Sequence, residues 1–188
     1  MGGKDEEPVS IWRAMKRGFK QGYYKENSRD FTEETLSEYP QLDCEPRGNH
    51  VSVNHCELFE DNFDDGEKLH FVLSGFSVKM DDQGETSDTR SSKLMSDART
   101  AITDKRIIIK IPKYTGHDLY TVGYVDITDI GVVSNLMWGN KFEIRTGGKS
   151  YEISVDEPSP QEMREAASFV RRTKSELRNA ATTNSDND

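Results

Sequence analysis

The chain has 188 residues and a formal net charge of -9, with 33% hydrophobic and 31% charged residues. That length suits one domain with extensions, and the acidity argues against a nucleic-acid binder, which draws on clustered cations. No segment is apolar for long enough to span a bilayer, the start lacks the apolar core of a signal peptide, and two cysteines cannot build a framework, so a reducing cytoplasm is the expected setting.

Residues 1–9 read as a disordered start. Met1-Gly2-Gly3 opens like an N-myristoylation signal, but Glu6 stands where that signal wants serine or threonine. Residues 10–25 form the first predicted helix, basic and amphipathic. Ile11, Trp12, Met15, Phe19 and Tyr23 share one face, opposite Arg13, Lys16, Arg17 and Lys20. This stretch holds five cations and no acid, which leaves -14 on the rest of the chain. Such a helix suits a membrane surface or a partner protein, and it suits equally well docking on its own domain. Gly18 and Gly22 each weaken it by about 1 kcal/mol relative to alanine, so its order depends on docking.

Residues 26–63 invert the charge and read as an acidic linker or a partly ordered extension, with a short helix from Thr32 stopped by Pro40 and a short strand at Val51–Val53. Cys44, His50, His55 and Cys56 invite a zinc reading. The histidines have a ligand spacing, but the cysteines lie on either side of them without a paired knuckle, so a thiol beside incidental histidines is preferred. Asp61, Asp65 and Gly66 match positions of a calcium loop. Phe63 then occupies a ligand position and Val72 stands where the bidentate glutamate belongs, so a solvated loop is the better reading.

Strand patterning starts at Leu69, whose alternation through Leu73 is bent at Gly75 before continuing to Met80. Asp81 to Asp97 is polar and predicted to be an exposed loop. Ala98 to Pro112 is predicted as one long strand, bent near Asp104-Lys105 and ended by the proline. Leu119 to Ile127 is the next strand, with apolar residues on both faces. Gly139-Asn140 precedes a strand at Lys141–Arg145. Gly147-Gly148 then marks a tight hairpin, with primed-turn glycines, into Tyr151–Val155. Ser159, Pro160 and Glu162 supply the cap, first position and capping box of a helix whose Met163, Ala166, Ala167, Val170 and Leu177 form one stripe. Residues 179–188 read as a disordered tail.

Three stretches carry a family resemblance: Asp65-Gly66-Glu67-Lys68-Leu69-His70-Phe71-Val72, then Ala101-Ile102-Thr103-Asp104-Lys105-Arg106-Ile107-Ile108-Ile109, then Val125-Asp126-Ile127-Thr128-Asp129-Ile130. With the Gly-Gly hairpin and the final helix, residues 64–178 resemble a prokaryotic pleckstrin-homology-like domain of the YokE-like kind. The resemblance implies a mainly β (α+β) fold: a small bent antiparallel sheet or partial barrel of PH-like type capped by one C-terminal helix. It also implies a domain that binds lipids, peptides or proteins and rarely catalyses a reaction. Eukaryotic relatives hold lipid phosphates with cations around the first inter-strand loop. Here Asp81, Asp82, Glu85 and Asp88 face Arg90 and Lys93 in that loop, which speaks against a phosphoinositide site.

The sequence has neither a nucleophile elbow nor a phosphate-cradling glycine loop, and His70 and His117 are isolated. The expected function is a non-enzymatic protein-interaction or adaptor module without cofactor, metal or nucleic acid. The alternative is a peripheral module at the inner face of the membrane, anchored by helix 10–25 through Ile11, Trp12, Arg13, Met15, Lys16, Arg17, Phe19 and Lys20. Lys105, Arg106, Lys110 and Lys113 form a secondary candidate, a basic edge. A small hydrolase-like or metal-dependent enzyme ranks last.

Overall fold

A computed structural model describes residues 47, 51, 53–82, 88–91, 98–113, 115–135 and 139–185. The predicted helices at 10–25 and after Thr32 lie outside the described residues. The chain forms helix α1 (Val53–Phe59), a 3-10 turn (Glu60–Asn62) and strands β1 (Leu69–Asp82), β2 (Asp88–Ser91), β3 (Ala98–Thr103), β4 (Arg106–Lys113) and β5 (Gly116–Gly123). A second 3-10 turn (Tyr124–Asp126) leads into β6 (Ile127–Asn135), β7 (Gly139–Thr146), β8 (Lys149–Glu157) and helix α2 (Pro160–Ser185). All pairings are antiparallel, in the order β5-β4-β3-β1-β8-β7-β6, with β2 added on β1. Sheet class and helix agree with the sequence reading.

β1 belongs to both halves of this sheet. Leu69 to Gly75 pairs with β3, and Ser74 to Asp82 pairs with β8, with register shifts on both sides of Gly75. Gly75 is where the strand changes partners, as its bend-permitting position in the sequence suggests. Its lack of a side chain matters because the Ser154 carbonyl oxygen lies 1.8 Å from where a Cβ would sit.

Several local expectations are corrected. Ala98 to Pro112 is not one strand but the hairpin β3–β4, with Ile102 opposite Ile107. Pro112 does not end β4, which runs to Lys113. β3 has its last partner at Lys110, so the proline pairs only with His117 of β5 and interrupts no ladder on its other side. Part of the predicted acidic loop is strand: Asp88–Ser91 pairs with Ser77–Met80. Leu119–Ile127 is divided by the 3-10 turn, and its buried residues are Val122, Tyr124 and Ile127, while Leu119 and Val125 are exposed. The Gly147-Gly148 hairpin joins β7 to β8 where expected, but neither glycine takes a left-handed φ. Thr146 ties the turn instead, its hydroxyl accepting from the Lys149 amide at 3.0 Å.

The main core lies between the inner face of the sheet and α2. Phe71, Leu73, Ile102, Ile107, Ile109, Phe142, Ile144 and Ile153 pack with Met163, Ala166, Ala167 and Val170 of the helix. The Ser159 hydroxyl accepts from the Glu162 amide at 3.4 Å, the bond of the predicted N-cap, and stands 3.5 Å from the Glu162 carboxylate. Two features of α2 depart from expectation. The helix runs on into the predicted tail as far as Ser185, and Leu177, the last residue of the predicted stripe, is exposed. Phe169, outside the predicted stripe, is buried instead, its ring 4.8 Å from His70 and 5.7 Å from Phe71.

Inside this fold Thr100 is fully buried, and its hydroxyl is the one buried side-chain polar atom without a hydrogen-bond partner among the described residues. Thr100→Val keeps the shape and removes the unsatisfied group, so it should stabilise the domain by about 1 kcal/mol. Chemical denaturation checks this, and an unchanged or lowered midpoint would contradict it.

A second, smaller core covers the outer face of β1, β3 and β4. There Leu69, Val72, Ala101 and Ile108 meet Val51, Cys56 and Phe59, with Leu58 and Phe63 packed at the margin. Val53 opens α1, in place of the short strand expected at Val51–Val53. Cys56 is disulfide-bonded rather than a free thiol; the other cysteine, Cys44, lies outside the described residues.

Candidate functional site

The Thr103-Asp104-Lys105-Arg106 motif makes the two-residue turn between β3 and β4, and each of its residues then grips residues 65–68. The Thr103 hydroxyl accepts from the amides of Lys105 at 3.1 Å and Arg106 at 3.0 Å, which closes the turn. The same hydroxyl lies 2.7 Å from Glu67 Oε1, to which it donates. Asp104 exchanges bonds with the Lys68 main chain, accepting at Oδ1 from its amide at 2.9 Å and donating its own amide to its carbonyl at 3.1 Å. Lys105 Nζ donates to the Asp65 carbonyl at 2.7 Å.

At the centre is Glu67, fully buried. Arg106 meets it with a two-pronged contact, Nε to Oε1 at 3.0 Å and Nη2 to Oε2 at 2.7 Å. The Asp64 amide donates to Oε2 at 2.8 Å, in a turn where Gly66 takes φ 66°. Burial pushes the Glu67 carboxyl up. The hydrogen bonds from Arg106, the Asp64 amide and Thr103, with the charge of Arg106, outweigh burial and hold it below its ordinary value. Arg106 is correspondingly raised by Glu67 and Asp64. Both oxygens of Glu67 are therefore committed to donors, and the group acts as a structural anchor. Tyr124 donates from its buried hydroxyl to the Thr103 carbonyl and ties the start of β6 to the same point.

This arrangement assigns the stretch that resembles a calcium loop another role. Asp64 pairs with Arg106 at 2.9 Å, and the Asp-Asp-Gly turn seats Glu67 under the β3–β4 hairpin. Among the described residues no group of three His, Cys, Asp or Glu side chains is placed to hold a metal. His55 lies on α1; Cys44 and His50 lie outside the described residues.

The four residues of the basic edge are close in sequence but engaged separately. Lys105 and Arg106 bind residues 62–67, as above. Lys110, 8% exposed, reaches across the outer face to the Leu58 carbonyl at 2.7 Å and Asn62 Oδ1 at 3.3 Å. Lys113 pairs with Asp118. Arg106 adds a bond to the Asn62 carbonyl at 3.1 Å. Three of the four thus fasten the segment 58–67 to the sheet. Glu67 and Asn62, their chief partners, were missed by sequence reasoning, because a carboxylate 39 positions from its arginine gives no local signal.

Elsewhere on the sheet cations stand beside acids: Lys79 with Asp81, Lys149 with Asp82, Lys141 with Glu152, and Arg145 with Glu143 and Asp129. Such exposed pairs add little stability, but they cancel the local field that an anion would feel. The cations of α2 serve the fold as well, with Arg171 and Lys174 donating to the Ile130 and Ile127 carbonyls of edge strand β6. The proposed contact residues Ile11, Trp12, Arg13, Met15, Lys16, Arg17, Phe19 and Lys20 lie outside the described residues. No described helix is long and apolar enough to cross a membrane.

The family model "Bacterial PH domain" matches residues 63–172, more than half of the chain. Among solved structures, the Vps36 N-terminal PH domain aligns at 12% identity and TM-score 0.42, over 58% of this chain and 83% of that one. The linker-DH/PH domains of p115-RhoGEF align at 8% identity and TM-score 0.39, over 76% of this chain and 40% of that one. No curated protein matches the sequence.

Proposed function

The chain belongs to the bacterial PH domain family, and from that premise we propose that it is a non-enzymatic adaptor whose partner is a protein rather than an anionic lipid. The observation that carries this reading is the state of the cations on the sheet. Lys79, Lys113, Lys141, Arg145 and Lys149 each stand beside a carboxylate, so a lipid phosphate would have to displace an acid at each. The formal charge of -9 opposes approach to an anionic bilayer in the same direction. A protein surface of mixed polarity meets neither obstacle.

The competing reading is peripheral membrane attachment through helix 10–25. There Trp12 and Phe19 would enter the headgroup boundary while Arg13, Lys16, Arg17 and Lys20 each add up to about 1 kcal/mol of attraction. Co-sedimentation with phosphatidylserine-containing vesicles at low and high salt separates the two, using the intact chain and one starting at Asn27. Neither form should sediment appreciably. Salt-sensitive binding of the intact chain that disappears on truncation would replace the adaptor reading with the membrane one.

A further inference from the structure

We infer that β5 is a self-association edge: two copies of this chain pair antiparallel along Gly116–Gly123 and join their sheets across a two-fold axis beside Leu119. The inference goes beyond the adaptor reading, to which it adds a second copy at a fixed orientation. The sheet ends at two strands, β5 and β6. Helix α2 lies along β6, where Arg171 and Lys174 donate to the Ile130 and Ile127 carbonyls. Beyond β5 no strand follows among the described residues.

Edge strands that stay single carry devices against pairing, such as lysine, proline, a bulge or very short length. Those devices are missing from β5. Gly116–Gly123 has eight residues, contains no lysine, arginine or proline, and keeps its register with β4 throughout, from Arg106 opposite Gly123 to Lys113 opposite Gly116. The proline and the cations of this hairpin, Pro112, Arg106, Lys110 and Lys113, all sit on β4, which pairs with β3 as well as with β5. The one acid of β5, Asp118, is paired with Lys113, so its charge is offset within the hairpin.

The side chains along the edge specify the occupant. Tyr120 and Val122 join the main core, while Leu119 and Thr121 are exposed. Leu119 is 41% exposed and lies at the middle of the strand. A two-fold axis pairs a strand with its own reverse, so the contacts of one copy are repeated by the other. Centred on Leu119, the axis sets leucine beside leucine, Asp118 beside Tyr120 and His117 beside Thr121. Paired residues then differ by an even number of positions, which keeps the outer faces of the two sheets on one side. No two acids or two cations meet, and the leucine left open in a single copy gains an apolar neighbour. A foreign strand would have to supply that neighbour at the matching position, whereas a second copy carries it in register. A strand pair of this length is smaller than a standard interface, and -9 on each copy opposes approach, so the dimer is expected to be weak, with a micromolar dissociation constant.

Sedimentation equilibrium of the full chain tests this, over a micromolar concentration series in salt high enough to screen the charge. The wild type should show a monomer–dimer equilibrium. Leu119→Lys places two lysines side by side at the axis and should weaken the dimer at least about tenfold. Leu177→Lys, which alters an exposed leucine of α2, should leave it unchanged. A wild type that stays monomeric throughout the series, or a dimer that Leu119→Lys weakens no more than Leu177→Lys does, would overturn the inference. Hydrogen exchange of the wild type at low and high protein concentration gives a check that needs no variant. Amides of residues 116–123 should slow as the protein is concentrated, and slowing confined to other segments would equally overturn it. Such a failure removes the dimer alone, since the adaptor reading stands or falls on the vesicle experiment.

Discussion

Gly75→Ala is expected to destabilise the domain by about 3 kcal/mol or more, the upper end of what overpacking costs. The added Cβ would lie 1.8 Å from the Ser154 carbonyl oxygen, 2.9 Å from its carbon and 3.3 Å from Val155 Cα. All three are backbone atoms of β8, so no side chain can turn aside to make room. Relief requires β1 and β8 to part at the position where β1 passes from β3 to β8, which loosens both halves of the sheet together. The cost is steric, because Gly75 does not have a left-handed φ. Gly131 on β6 supplies the control: a Cβ there meets nothing within 4 Å, so Gly131→Ala should stay within about 0.5 kcal/mol. Urea denaturation of the two variants decides the matter, and equal midpoints would show that β8 yields more readily than its backbone contacts imply.

Arg106→Met should cost about 3–5 kcal/mol at neutral pH, the range for removing one partner of a buried pair. Glu67 would keep the Asp64 amide and the Thr103 hydroxyl but lose the charge that offsets its burial. The dependence on pH identifies the mechanism. In the wild type Glu67 titrates below its ordinary value, so its contribution is fully present above the ordinary glutamate range and is lost as pH falls through the lowered folded value. Without Arg106, burial raises the same carboxyl, and the variant takes up the proton readily. The stability gap between the two proteins should therefore narrow on acidification. Denaturation curves at neutral and mildly acidic pH measure it, and a gap that stays constant would mean that Arg106 acts through packing of its stem alone.

Both residues illustrate which parts of this protein the sequence makes legible. The strands are readable because side chains alternate with a period of two, and Leu69 to Leu73, Phe142–Ile144 and Tyr151–Val155 keep that period. The Gly147-Gly148 hairpin and the Ser159 N-cap depend on neighbours a few positions away, so local sequence is sufficient for them. The same logic placed Met163, Ala166, Ala167 and Val170 on the buried side of α2.

Ala98 to Pro112 reads as a single strand because both of its arms are rich in β-branched residues, and Asp104-Lys105 lacks the glycine or asparagine that marks a tight turn. What folds the turn is the Thr103 side chain, and what fixes it in place is Glu67, 36 positions away. The second core escaped notice for a related reason. Val72, Ala101 and Ile108 are buried by Val51, Cys56 and Phe59, residues more than ten positions away in the chain. Leu177 failed in the opposite direction, since a helical period continues along a chain whether or not there is a sheet beside it. Periodicity and turn chemistry, which act over a few residues, were set by the sequence itself. Which faces are covered, and which charges are buried together, was decided only when segments distant along the chain met, because burial and desolvation are properties of neighbours in space.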